Sequence, residues 1–204
     1  MAIIQFRTFG AGALALLLAG SFAAAQAPDI VRVRGTIESV DGSVMGVKGR
    51  DGGMMKVKLA DKGPVRTIVK KSLADIKQGD YIAVTGLPQP DGTQKAVAIS
   101  IFPEALRGTG EGYQPWDFLP NSKMTNATVD STVAGVNGQM LTLKYKDGEQ
   151  KVLVTPATEI TAAVPGTLAD VKVGQKIFIF ATKKQPDGTL QAPNISVGDY
   201  GVWR

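Results

Sequence analysis

The chain has 204 residues, 44% of them hydrophobic and 20% charged, and a formal net charge of +5, values that are ordinary for a globular protein. It contains no cysteine and no histidine, which excludes disulfides, thiolate nucleophiles, histidine-based catalytic triads and histidine-containing metal sites. The basic excess is modest and does not indicate a nucleic-acid-binding protein.

Residues 1–25, MAIIQFRTFGAGALALLLAGSFAAA, have the features of a secretory signal peptide. Arg7 precedes an apolar run from Phe9 to Ala19, and the small residues AAA before Gln26 fit a cleavage site. The run is shorter than the roughly 20 residues that cross a bilayer; an uncleaved anchor is the alternative. We therefore expect a periplasmic or secreted protein that does not span the membrane after cleavage.

The rest of the chain contains the same unit twice. Four blocks of the first copy match blocks of the second at an offset of 95 or 96 residues: Gly35–Gly42 with Ser131–Gly138, Lys48–Leu59 with Lys144–Thr155, Ser72–Val84 with Thr167–Ile179, and Gln89–Thr93 with Gln185–Thr189. Four matches on nearly one diagonal indicate a tandem duplication. We predict a first repeat at 26–103, a Gly/Pro-rich connector at 104–125 and a second repeat at 126–204.

Each repeat has the pattern of a small β-barrel. In the first copy, alternating apolar residues and turn signals predict strands at Val31–Val40, Val44–Lys48, Met55–Leu59, Tyr81–Thr85 and Gln94–Ile101, with a short helix that begins at Ser72 before the fourth strand. This is the element order of an OB-type barrel. We expect an all-β protein of two tandem OB-like five-stranded small barrels, each with one short helix before strand four; an irregular pair of β-sandwiches is the alternative.

The stretches RGTIESVDG, SLADIKQGDYIAVTG and PDGTQKAVAI resemble the repeats of a family of secreted bacterial domains of unknown function. The resemblance covers both repeats, about three quarters of the chain. The second repeat departs from the central motif, with Gln175 where the first has Asp80. The resemblance implies a small β-barrel and export, and it implies no catalytic residues.

Both copies end in a Tyr-x-x-Trp pattern. Tyr113 and Trp116, followed by Asp117, lie in the connector, and Tyr200 and Trp203 close the chain. One interpretation is an aromatic plug that covers a barrel end or fills the cleft between barrels. The other is an exposed aromatic platform for a sugar or a protein. These five residues are therefore candidate binding residues.

Basic residues follow the polar face of the first strands. Arg32 and Arg34 are expected on the outer side of the first strand, and the next two strands carry Lys48, Arg50, Lys56 and Lys58. Such a face suits a polyanion, but lysine and arginine also keep strand edges soluble, and the solvated face is the preferred interpretation. Arg32 and Arg34 complete the list of candidate binding residues.

Two sequence features could suggest a metal site. Each Asp-Gly pair stands alone in its turn, whereas calcium loops gather several oxygen ligands in one segment, so these pairs predict turns. Met45, Met54 and Met55 share one hairpin and could bind Cu(I). Adjacent methionines of a strand face opposite ways, so at most one of Met54 and Met55 shares a face with Met45. Core filling is therefore the preferred interpretation. We expect no metal and no cofactor.

The sequence thus predicts an exported, non-catalytic binding or assembly module of the bacterial cell envelope, with an envelope protein or glycan as its partner and no nucleic acid. The alternatives are a periplasmic metal-handling accessory protein that uses the methionine hairpin and, more remotely, a hydrolase that uses carboxylates alone. Only Glu104 and Glu111 form a glutamate pair near an aromatic residue, which is a weak basis for hydrolysis.

Overall fold

A computed structural model describes residues 30–135 and 138–199 of the protein. The fold is all-β, as predicted. Its strands are β1 (Ile30–Asp41), β2 (Val44–Gly49), β3 (Met54–Leu59), β4 (Val65–Lys71), β5 (Tyr81–Pro88), β6 (Gln94–Ile101), β7 (Gly112–Pro115), β8 (Lys123–Gly135), β9 (Gly138–Tyr145), β10 (Gly148–Val154), β11 (Glu159–Gly166), β12 (Lys176–Lys184), β13 (Leu190–Ala192) and β14 (Ile195–Gly198).

Three features predicted from the sequence fall on other parts of the chain. The predicted signal peptide, Tyr200 and Trp203 lie outside the described residues. Within residues 30–135 and 138–199, no helix has the length and apolar character needed to cross a membrane.

Local sequence explains the strands and their connections. In β1 the side chains of Val33 and Ile37 are fully buried while Arg32 is exposed, the alternation that a half-buried strand requires. The predicted short helix before the fourth strand is a single 3-10 turn, Leu73–Asp75, with a counterpart in the second repeat at Leu168–Asp170. The turn is fixed by the carboxylate of Asp75, which accepts hydrogen bonds from the backbone N–H and the hydroxyl of Ser72 at 2.8 and 2.7 Å.

The Asp-Gly pairs form turns, as predicted. Asp91 Oδ1 accepts hydrogen bonds from the backbone N–H and the hydroxyl of Thr93, and Gly92 between them has a φ of 81°. Asp187 and Thr189 repeat this arrangement around Gly188. A carboxylate that is satisfied within its own turn has a structural role there.

The strand pairings close two rings of five strands. Ring A, a closed barrel, runs β1–β2–β3–β13–β12 and returns to β1. Ring B runs β5–β6–β10–β9–β8 and returns to β5. Each ring encloses its own cluster of buried apolar side chains. Closure satisfies the backbone groups that an open sheet would leave at its edges.

The expectation that each repeat closes a barrel of its own is not confirmed. Ring A combines the first three strands of repeat 1 with the last strands of repeat 2, and ring B combines the last two strands of repeat 1 with the first three of repeat 2. The rings therefore do not coincide with the predicted units 26–103 and 126–204. The physical reason is that equivalent strands of the two copies bury the same kind of face, so the alternation of apolar residues does not specify which copy completes which ring.

Strands β4 and β11 join the two rings. They pair with each other in antiparallel fashion from Val65 opposite Gly166 to Lys71 opposite Ile160. On their other sides, β4 pairs in parallel with β14 and β11 pairs in parallel with β6. The result is a continuous sheet that leads from ring A into ring B, and it fixes the outer face of ring A relative to the connector.

The pairings also correct the alignment of the two copies. Thr36 lies opposite Lys48 in ring A, and Thr128 lies opposite Lys144 in ring B. Lys48 and Lys144 are 96 positions apart, as the sequence match predicts, but Thr36 and Thr128 are 92 apart. The first strand of repeat 2 is therefore displaced by four residues from the sequence match, and structural equivalence between the rings has to be taken from the pairings.

Candidate functional site

The connector forms a stapled loop after β7. Strand β7 pairs with the start of β8, and the chain then turns through residues 116–122. The N–H of Trp116 donates to the carbonyl of Ser122 at 3.0 Å, and the N–H of Leu119 donates to the Ser122 hydroxyl at 3.0 Å. Ser122 is buried. These bonds hold the loop so that Trp116, Asp117 and Phe118 reach the outer face of ring A.

Asp117 forms the main polar contact between this loop and ring A. Its two carboxylate oxygens accept hydrogen bonds from Arg34 Nη1 and Nη2 at 2.9 and 2.7 Å. Arg32 Nη1 lies 3.5 Å from the same carboxylate. The Arg34 side chain is only 12% exposed, so this two-point pair carries more weight than an ordinary surface ion pair. The hydrogen bond from Arg34 is the main cause that lowers the pKa of Asp117 below its ordinary value of 3.8.

Aromatic rings surround the same arginines. Trp116 and Phe180 are nearly parallel, with ring centroids 6.3 Å apart. The Arg32 guanidinium lies 4.8 Å from the centre of Trp116 and 5.1 Å from that of Phe180, and Arg34 lies 5.3 Å from Phe178. Cation–π contacts of this kind add to the ion pair. The connector is thus clamped onto strands β1 and β12; we call Arg32, Arg34, Trp116, Asp117 and Phe180 the clamp.

The structure brings together four of the seven predicted binding residues: Arg32, Arg34, Trp116 and Asp117. Trp116 is 6% exposed, so it packs in the cleft beside ring A and does not present a platform. Tyr113 lies apart from the clamp, on β7 opposite Thr125, and is 37% exposed. Phe180, from the other repeat, was missed; its signal was the run KIFIF, whose alternate positions face outward.

A groove of about 540 Å³ adjoins the clamp on the outer face of ring A. We call it groove 1. Its lining residues come from β1, from β2 with the turn that follows it, and from β12: Arg34, Gly35, Thr36, Glu38, Lys48, Gly49, Arg50, Lys176, Ile177 and Phe178. Four of them are cationic and one is anionic. Gly35 is required here, because a β-carbon would collide with the backbone carbonyl of Lys48.

The cations of groove 1 lie in two rows across the strands. In the first row, Thr36 lies between Lys176 on β12 and Lys48 on β2, and Lys176 Nζ donates to Thr36 Oγ1 at 2.9 Å. In the second row, Arg34 lies opposite Phe178. Since neighbouring strands are about 4.8 Å apart, the two lysines of the first row start about 10 Å apart. Both are exposed.

The charge of groove 1 is largely uncompensated. Arg34 is paired with Asp117, but within the described ranges no carboxylate forms a salt bridge with Lys48, Arg50 or Lys176. Arg50 instead lies 5.8 Å from the ring of Phe118. Three cations on a concave surface raise the local concentration of anions. The groove is therefore suited to an anionic group.

Ring B provides an internal comparison, because the equivalent row there has different chemistry. Thr128 lies between Tyr81 and Lys144. Tyr81 is buried, and burial is the main cause that raises its pKa to about 12. Lys144 Nζ pairs with Asp130 at 3.0 Å. The row that carries two exposed lysines in ring A thus carries one neutralised lysine in ring B.

The connector itself covers this face of ring B. Arg107 Nη2 donates to the carbonyl of Gly79 at 2.9 Å, and the carbonyl of Thr109 accepts from the Tyr81 hydroxyl at 3.2 Å and from Asn126 Nδ2 at 3.0 Å. Ring B thus shows that this face of such a ring accepts a polar chain segment. In ring A the matching lysines are exposed.

The residues proposed for metal binding do not converge. Met45 is fully buried in the core of ring A, Met55 packs against that core, and Met54 is 63% exposed on the other face of the hairpin. Within the described part of the chain, no cluster of three or more acidic residues could hold a metal ion. Met45 and Met55 therefore contribute to the core of ring A, and Met54 lies at the surface.

The two glutamates considered for hydrolysis have separate partners. Glu104 accepts two hydrogen bonds from Arg107, at 2.6 and 2.7 Å, and this contact lowers its pKa. Glu111 accepts from the backbone N–H of Lys146 at 3.0 Å. A glycosidase needs two carboxyl groups that flank one bond. The contacts of Glu104 and Glu111 instead stabilise the position of the connector.

Replacing Asp117 by asparagine should destabilise the protein and flatten its acid response. Loss of the charged partner of Arg34 should lower the free energy of unfolding by about 1 kcal/mol, because Asp117 is half exposed. A carboxylate with a lowered pKa contributes stability above its unfolded pKa, and that contribution disappears as pH falls through the folded value. Urea unfolding from pH 7 to pH 2 should therefore show a smaller loss for Asp117→Asn than for the unmodified protein below about pH 4.

The exposed turn residue Asp61 provides the control. Asp61→Asn should change stability by less than about 0.5 kcal/mol at neutral pH. An unfolding free energy of Asp117→Asn equal to that of the unmodified protein at neutral pH would show that the clamp carries no charge-dependent stability.

Comparison of the chain with protein-family models, with curated proteins and with solved structures gave no match.

Proposed function

We propose that the protein is a non-catalytic binding module of the bacterial cell envelope, exported by its N-terminal signal peptide and built from two OB-like barrels, and that it takes an anionic ligand in groove 1. The observation that carries this proposal is the contrast between equivalent rows of the two rings. In ring A, Lys176 and Lys48 flank Thr36. In ring B, the equivalent residue Thr128 is flanked by Tyr81 and by Lys144, which pairs with Asp130.

The contrast argues against a purely structural use of the lysines. Ring B closes without a cation at the position of Lys176 and neutralises the one at the position of Lys48. The fold therefore does not need both charges. Lys176 and Lys48 lie on the two strands that flank β1, and their like charges repel one another at that distance. Their retention in ring A is explained by a ligand that compensates them.

Two features adapt groove 1 to binding. The clamp fixes Arg34 at the edge of the groove through Asp117, so one wall is set before a ligand arrives, which lowers the entropy cost of binding. Gly35 and Gly49, which pair with each other across β1 and β2, contribute backbone atoms to the lining of the groove. An anionic group can therefore approach the strands closely while the lysines and Arg50 surround it.

NMR titration of the mature chain with inorganic phosphate tests the proposal. We expect chemical-shift changes at the backbone amides of Thr36, Lys48, Arg50 and Lys176, and we expect them to weaken with added salt because the contacts are exposed ion pairs. The double variant Lys48→Gln/Lys176→Gln should bind about tenfold more weakly, since two surface charge contacts contribute up to about 1 kcal/mol each.

The matched control is Lys146→Gln/Lys151→Gln, which removes the same net charge from exposed positions of ring B. It should bind phosphate like the unmodified chain. Equal weakening by both double variants, or shifts spread evenly over the two rings, would reduce the effect to net charge and overturn the assignment of the site.

A further inference from the structure

A second groove of ring A is lined by residues of β2, β3 and β13 and of the loop between β12 and β13. We call it groove 2; it has a volume of about 580 Å³ and includes Lys56, Lys58, Gln185 and Gln191 in its lining. Lys58 lies opposite Gln191 of β13. Within the described residues, neither Lys56 nor Lys58 forms a salt bridge. Groove 2 therefore adds two cations to the same barrel, together with the carboxylate of Asp187, which also lines the groove and accepts hydrogen bonds from Thr189.

The two grooves both adjoin strand β2, at different positions along it. Along β2, Lys48 borders groove 1 and Val44 borders groove 2. Gly46 lies between them and opposite Lys56, so no side chain rises from β2 at the junction. Met54, opposite Lys48, is 63% exposed beside this low point. The surface thus has three parts in sequence: the cationic groove 1, a flat and partly apolar area at Gly46 and Met54, and groove 2.

We propose that the ligand of ring A is an extended acidic polysaccharide that lies across the strands and occupies both grooves. This inference rests on the proposed function and adds the ligand class. Acidic groups of the chain contact the lysines in each groove, and the apolar face of a sugar ring packs on Met54 above Gly46. The amide groups of Gln185 and Gln191 hydrogen bond to sugar hydroxyls.

The polar lining distinguishes this ligand from other polyanions. The side chains of Gln185 and Gln191 hydrogen bond to each other at 3.1 Å on the rim of groove 2, and paired amides offer both donors and acceptors to hydroxyl groups. A single-stranded nucleic acid would call for aromatic stacking along its path. The described lining of groove 2 contains no aromatic residue, and the one aromatic residue that lines groove 1, Phe178, lies against Arg34.

The test is the affinity of the mature chain for oligogalacturonates of two and eight sugars, measured by isothermal titration calorimetry. The longer oligomer should bind at least about tenfold more tightly, because it reaches two further cationic contacts. The variant Lys56→Gln/Lys58→Gln should lose about this gain for the longer oligomer and should bind the shorter oligomer and phosphate as before. Lys146→Gln/Lys151→Gln again gives the matched loss of charge on ring B.

The outcomes separate the two proposals. Equal affinity for short and long oligomers, with no effect of the groove 2 variant, overturns the extended ligand and leaves the anionic site of groove 1. Tighter binding of polyglutamate or of oligothymidylate with the same number of charges overturns the polysaccharide. Absence of binding by phosphate and by both oligomers overturns the proposed function as well.

Discussion

Truncation of the chain after Gly174 should unfold the strands nearest its beginning and leave its middle folded. The deletion removes β12, β13 and β14, and with them the buried side chains Ile177, Ile179 and Ile195 of the ring A core. At about 2 kcal/mol for each buried side chain, ring A loses roughly 6 kcal/mol, which is comparable to the whole stability of a small domain. Strands β1 to β3 should then lose protection against amide hydrogen exchange.

Ring B should keep its protection in the same experiment, because its five strands all lie between Tyr81 and Val154. Truncation after Gly198, which leaves β14 complete, is the control and should protect both rings. If each repeat closed its own ring, truncation after Gly174 would instead spare residues 30–101 and expose residues 126–166. Hydrogen exchange with peptide resolution therefore decides between the two arrangements.

Replacement of Trp116 by alanine should cost about 3 kcal/mol of unfolding free energy, since a large aromatic side chain that is 94% buried leaves a cavity. The cavity would lie between the connector and the Phe180 ring, so the contact of the loop with ring A should weaken as well. Urea unfolding measures the loss. Trp116→Phe, which keeps an aromatic ring against Phe180, should recover part of it.

Tyr113→Ala is the control, because Tyr113 lies in the same connector but is 37% exposed; its effect should stay below about 1 kcal/mol. In a Trp203→Phe background, Trp116 fluorescence should be blue-shifted and poorly quenched by iodide. Red-shifted, readily quenched emission would contradict the packed position of Trp116 and restore the platform interpretation.

The strands themselves could be predicted because their side chains alternate. The prediction Val31–Val40 corresponds to β1, and Met55–Leu59 corresponds to β3 with one residue more at its start. Strand β4 was missed, because its apolar residues Val65, Ile68 and Val69 do not alternate. Strand β4 also belongs to neither ring: it lies between them and pairs with β11 on one side and with β14 on the other.

The exchange of strands between the repeats could not be predicted from local pattern. The inward residues of β12 include Ile177 and Ile179, and those of β5 include Ile82 and Val84, so both strands offer the same buried face to any partner. Which ring each strand joins depends on pairings over long sequence distances, such as Ile30 with Lys183. Because the unit is repeated, its local pattern does not indicate which ring a strand joins.

The candidate site was predicted in its parts but not in its assembly. The period of β1 placed Arg32 and Arg34 on the outside, and the connector identified Trp116 and Asp117 as candidates. Their meeting, across 83 positions between Arg34 and Asp117, depends on the loop that Ser122 closes. The repeat boundaries place Lys176 and Phe178 in another barrel, so the sequence does not indicate that they lie beside the basic residues of repeat 1.

The exchanged strands also determine the order in which the protein becomes complete during synthesis. Strands β1 to β3 leave the ribosome roughly 115 residues before β12, an interval on the order of ten seconds at usual elongation rates. Until β12 follows, whether in synthesis or in passage through an export channel, β1 to β3 can form at most a three-stranded sheet with two open edges and an apolar face, while all five strands of ring B precede β12. The first part of the molecule to be made is thus the last to be finished.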